Sequence, residues 1–155
     1  MLSSEGPASL STSFRLVVPR PIYDDMLAQA RAELPNECCG ILAGKIVTVG
    51  QQRLGTVSRR YPLVNALASP VAYNADIKGL FQAERDMRAV QIDALAIYHS
   101  HPTTQEVPSK TDRDRLYSAN VICLIISLQS SEAKVRAWWL TPESHREAEW
   151  EVQPD

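Results

Sequence analysis

The chain has 155 residues, 45% of them hydrophobic and 22% charged, and its 16 basic and 18 acidic side chains leave a formal charge of −2. That balance describes a globular chain long enough to bury a core without disulfides or a structural metal, so any metal it binds would be there for chemistry. It excludes the basic excess of a general nucleic-acid binder, and the longest apolar run, Val121 to Leu128, is far below the ~20 residues that cross a bilayer.

Residues 1–13 lack both a basic cluster and an apolar stretch of signal-peptide length, and are expected to form a disordered arm ahead of one domain over residues 14–152. Cys38, Cys39 and Cys123 make neither an even disulfide framework nor a C-x-x-C pair, which points to a reducing, cytoplasmic setting. Phe14 to Val18 predicts a short strand. Pro21 suits the first turn of a helix, Ile22, Met26, Leu27, Ala30 and Leu34 follow at helical spacing, and Pro35 stops it. Cys38 to Ala43 and Ile46 to Val49 read as a hairpin turning at Gly44-Lys45, with a third strand within Thr56 to Val64.

From Asp76 to Val90, Ile77, Leu80, Phe81 and Met87 fall on one face of a second helix, which Gly79 weakens by about 1 kcal/mol relative to alanine. Ala94 to His99 predicts another strand, a polar loop runs through Pro102 and Pro108, and a third helix starts near Ser109. Val121 to Leu128 and Lys134 to Leu140 pair about a turn at Gln129 to Ala133. Ala148, Trp150 and Val152 alternate with Glu149 and Glu151 as an edge strand. This order predicts an α+β fold of the α/β/α type, a mixed central sheet flanked by helices.

The chemistry concentrates in Tyr98-His99-Ser100-His101-Pro102 and Ser109-Lys110-Thr111-Asp112. Histidines two apart at the end of a strand point to one side and can grip one ion together. Asp112 lies beyond a loop that can fold back to them, and two imidazoles with one carboxylate leave a fourth tetrahedral position open, as in catalytic zinc sites. Ser109 and Asp112 also read as a helix N-cap and a shortened capping box. The two readings are compatible, and they differ in whether Asp112 shares a centre with the histidines.

H-x-H-P followed seven residues later by S-x-x-D resembles the metal signature of the JAMM (MPN+) zinc metallopeptidases. Glu37-Cys38-Cys39-Gly40-Ile41-Leu42-Ala43-Gly44 resembles that family's E-x-x-G-x-L-x-G segment, and Pro62-Leu63-Val64-Asn65, Ser69-Pro70 and Tyr73 resemble the middle of its short bacterial branch. The resemblance spans about Leu34 to Leu140 and implies the JAMM/MPN, cytidine-deaminase-like fold. It implies one Zn2+ held by His99, His101 and Asp112, with Glu37 as general base and then acid and Ser109 as donor to a developing oxyanion. The family cuts bonds after the C-terminal Gly-Gly of ubiquitin-like proteins. A bare core without insertions resembles the bacterial members that act on ubiquitin-like sulfur carrier proteins, with a deubiquitinase-type isopeptidase as the alternative.

Two rivals stand beside this reading. A cupin-type barrel would use His99, His101 and Glu106, but Arg113 stands where it would have a glycine, a second histidine motif is lacking, and the expected helices conflict with an all-β fold. A non-catalytic interaction module of the same fold would have lost its ligands, which are intact. Cys38 and Cys39 read as buried small hydrophobes rather than as nucleophiles, since the histidines are better explained as ligands than as bases. Trp138 and Trp139 read as core and sheet-surface aromatics, and His145 as a solvated residue of a charged tail.

Overall fold

A computed structural model describes residues 13–155. Of the arm expected over residues 1–13, all but Ser13 lies outside the described residues. Among the described residues eight strands form one mixed sheet, in the order β7-β6-β5-β4-β2-β3-β1-β8, accompanied by three helices. The strands are β1 (Arg15–Pro19), β2 (Cys39–Val49), β3 (Gln52–Leu63), β4 (Asp93–His101), β5 (Ile122–Ser127), β6 (Lys134–Leu140), β7 (His145–Glu147) and β8 (Trp150–Gln153). The helices are α1 (Arg20–Ala32), α2 (Ile77–Val90) and α3 (Lys110–Asp114). This is the mixed α+β architecture expected, and it excludes the all-β barrel. Among the described residues no helix is long and apolar enough to cross a membrane.

Strand alternation divides the interior into layers. Cys38, Leu42, Tyr98, Leu124 and Ile126 join Met26 and Ala30 of α1 in the main core. Cys39, Ile41 and Ile97 turn the other way, onto Ala83 and Met87 of α2, while Cys123 and Ile125 pack with Trp138 and Leu140 near Leu116. Gln29 ties α1 to the sheet: its Oε1 accepts from Tyr98 Oη at 2.5 Å and Arg60 Nη1 at 2.7 Å, and its Nε2 donates to the Cys39 carbonyl at 3.1 Å.

The expected hairpin and the expected core face of α2 need correction. The hairpin at Gly44-Lys45 is instead one strand, β2, with a bulge at Ala43/Gly44. A Cβ on Gly44 would lie 1.9 Å from the Thr56 carbonyl oxygen, so this glycine permits a close backbone approach, and the turn falls at Gly50, whose φ is +64°. The core face of α2 runs through Ala83 and Met87, with Leu80 packed beside them, and leaves Ile77 and Phe81 exposed. The charged tail forms β7, where His145 is exposed but sits edge-on to the Trp138 ring at 5.1 Å. Both Trp138 and Trp139 are buried.

Candidate metal centre and active site

Strand β4 enters the sheet between β2 and its parallel neighbour β5, and its last residues, His99 to His101, are all buried. His99 and His101 share one face, while Ser100 points to the other, where its Oγ accepts the Cys38 N–H at 2.8 Å. The loop after Pro102 returns the chain to α3, whose first turn is fixed by a capping box. Ser109 Oγ accepts from Asp112 N at 3.0 Å, and Ser109 N donates to Asp112 Oδ2 at 2.9 Å.

The capping box aims the Asp112 carboxylate at the histidines, so both sequence readings of Asp112 hold at once. His99 Nε2 lies 3.2 Å from Asp112 Oδ1, His101 Nε2 lies 3.2 Å from Oδ2, and the two Nε2 atoms are 3.2 Å apart. Ligand atoms from all three residues lie within 4.8 Å of one another, a group that could hold a metal ion. The ring chemistry fits this. His101 Nδ1 is 2.6 Å from the Gln105 carbonyl oxygen, which can only accept, so the proton belongs on Nδ1 and the neutral ring presents its Nε2 lone pair to the centre. His99 is steadied by Tyr73, stacked on it at 4.7 Å, and its Nδ1 faces the Cys123 thiol at 3.9 Å.

Charge follows the same logic. Burial opposes ionisation of Asp112, but His99, His101 and the Ser109 N–H outweigh it and hold the carboxyl well below the usual carboxylate range. Burial likewise works against a charged His101, yet Asp112 and the Gln105 carbonyl raise it above the ordinary histidine value. Glu37 behaves oppositely. It is only 4% exposed, its Oε1 has no hydrogen-bond partner among the described residues, and burial pushes the carboxyl up to about 8, with His101 pulling it down and Asp112 pushing it up. Burial also drives Cys38 and Cys39 up to about 12, which leaves both as protonated thiols rather than nucleophiles.

The five residues singled out in the sequence therefore fall in distinct places. His99, His101 and Asp112 converge, Ser109 is bonded to Asp112 while remaining exposed, and Glu37 sits buried in the link before β2. Sequence reasoning assigned no task to Asn65, Tyr73 or Ser100. Asn65 had a legible signal, an amide ahead of an Ala-, Ser- and Pro-containing loop, which is where side-chain-to-backbone turns form.

This fold and this residue group define the JAMM class of metal-dependent hydrolases. The chain belongs to it: the family described as prokaryotic homologs of the JAB domain matches residues 19–141. A desampylase of Haloferax volcanii is 35% identical over 121 residues, covering 75% of this chain and 83% of that protein. A CysO-cysteine peptidase of Mycobacterium tuberculosis is 36% identical over 101 residues, 65% of each chain. The solution structure of protein DSY2949 from Desulfitobacterium hafniense superposes with a TM-score of 0.78 at 30% identity, over 90% of this chain and 94% of that one.

Proposed function

We propose that the protein is a cytoplasmic zinc metallopeptidase, one domain over residues 14–152, that hydrolyses the bond after the C-terminal Gly-Gly of a ubiquitin-like sulfur carrier protein. The observation that carries this reading is the convergence of two imidazole Nε2 atoms and the Asp112 carboxylate, with the buried Glu37 carboxyl electrostatically coupled to His101 and Asp112. His99, His101 and Asp112 would hold one Zn2+. Bound there, the ion supplies Lewis-acid polarisation of the scissile carbonyl and makes water acidic enough to lose a proton near neutral pH. The Glu37 carboxylate takes the proton from water and passes it to the leaving amine. Ser109 Oγ accepts the Asp112 N–H, which leaves its own proton free for the developing oxyanion.

The substrate rests on the relatives and on the cavity beside the site. One relative is named for a CysO-cysteine substrate, which fits release of an amino acid from a carrier tail, and the desampylase name keeps an isopeptidase as the alternative. A cavity of about 120 Å³ is walled by Gly40, Leu63, Tyr73, Leu80, Ile97 and Tyr117, and it shares Tyr73 with the wall that stacks on His99. A narrow channel leading to the metal would admit a tail of two glycines and reject bulkier side chains. The intact ligand set argues against a non-catalytic module.

Mass spectrometry of a carrier ending in Gly-Gly plus one extra residue tests the reading directly: the expected product has lost that residue. The isolated tail peptide should react far more slowly, because binding energy from the folded carrier positions the tail. Equal rates on unrelated unfolded peptides would indicate a general metallopeptidase. Cleavage of ubiquitin chains but of no carrier would make the protein a deubiquitinase.

A further inference from the structure

Glu37 lies in the link between α1 and β2, outside any helix or strand that could fix its position. Two bonds secure its own backbone: Glu37 N donates to the Ser69 carbonyl at 2.8 Å, and the Glu37 carbonyl accepts from Asn65 Nδ2 at 3.0 Å. Asn65 is 7% exposed, and its carboxamide is used to capacity. Nδ2 also donates to the Ala72 carbonyl at 3.0 Å, while Oδ1 accepts from Leu67 N and Asn74 N, both at 3.1 Å. One side chain thus closes the loop between β3 and α2 on itself and fastens it to Glu37. The second clamp, Ser69, is carried by that same loop.

We infer that Asn65 is a positioning residue for Glu37, setting the backbone from which the carboxyl projects while contacting none of His99, His101 and Asp112 through the bonds it makes. The inference rests on the acid/base role proposed for Glu37. Nothing among the described residues bonds Glu37 Oε1, so the direction of that oxygen depends on how the backbone behind it is held. Proton transfer needs hydrogen-bond reach, and a misplacement of about 1 Å can cost on the order of 100-fold in rate.

Asn65→Asp separates this role from others because it keeps the shape and the Oδ1 acceptor but turns the two donors into an acceptor facing carbonyl oxygens. The full chain is assayed on a carrier ending in Gly-Gly plus one residue, as Asn65→Asp, Glu37→Gln and the double variant, with zinc content measured alongside. Zinc content should match the parent. Cleavage should fall roughly 10- to 100-fold for Asn65→Asp in the parent background. In the Glu37→Gln background the same change should cost less than about 2-fold, since no proton-transferring carboxyl remains to be placed. A parent-like rate for Asn65→Asp, or a loss that persists undiminished beside Glu37→Gln, overturns the inference. If Glu37→Gln is itself fully active, the acid/base assignment fails instead, a separate result. Should Asn65→Asp not fold, Asn65→Ser goes through the same cycle, and failure of both to fold also overturns it, by making Asn65 a residue of the fold as a whole.

Discussion

Ser100 and Cys38 exchange two hydrogen bonds: Ser100 Oγ accepts the Cys38 N–H at 2.8 Å, and Ser100 N donates to the Cys38 carbonyl at 3.2 Å. The residue between the two histidines is thereby tied to the residue next to Glu37. One side of the proposed chemistry is registered against the other through 62 positions of intervening chain.

Ser100→Ala leaves the buried Cys38 N–H without its acceptor, which should cost about 1–3 kcal/mol of stability. Urea unfolding of the two proteins at one pH measures it. Zinc content should not change, because the histidines sit on the opposite face of β4. A variant as stable as the parent would mean that the amide finds another partner.

Purified protein from zinc-supplemented medium should carry one zinc per chain, and His99→Ala or Asp112→Ala should abolish it. Both variants should stay folded, since the apolar layers on either side of the sheet do not depend on these residues. Elemental analysis with circular dichroism reads both points. Less than about 0.2 zinc per chain in the parent, with no gain on adding zinc, would remove the metallopeptidase reading.

Most of the site was legible because its pattern is local. The H-x-H spacing needs only strand alternation, and Ser109 with Asp112 needs only the geometry of a first helical turn. What escaped depends on distant chain. Gly44 reads as a turn residue in any window of neighbours, and its real reason, the Thr56 carbonyl occupying the space a Cβ would need, exists only once β3 has paired. The same holds for α2, where Ile77 and Phe81 share the apolar stripe but the sheet reaches only as far as Ala83 and Met87. Asn65 could be seen as a turn former, whereas its bond to Glu37 spans 28 positions.

Glu37→Gln should keep the metal and lose catalysis by a factor on the order of 100 to 10,000, the usual worth of a placed acid/base. Ser109→Ala should lose roughly 10- to 1,000-fold as one oxyanion donor. It should also cost about 1 kcal/mol as a lost N-cap. Carrier cleavage by each variant at matched zinc content separates the two roles. A Glu37→Gln variant as active as the parent would refute the proton-transfer scheme even with zinc present.

The raised proton affinity of Glu37 also makes a prediction about stability in the metal-free protein. Its carboxyl goes from about 8 in the folded chain to the ordinary 4.5 on unfolding, so between these values the native state holds the extra proton. Stability must then fall as pH rises through that window, because each step upward favours the state that releases the proton. The amide introduced by Glu37→Gln carries no such proton. Chelator-treated Glu37→Gln should therefore match the parent in melting temperature near the lower end of the window and exceed it increasingly toward pH 8, with the gap constant above that. Thermal melts of both proteins across the range decide it: a gap that does not change with pH would mean that Glu37 titrates normally in the fold and that its burial is relieved by solvent.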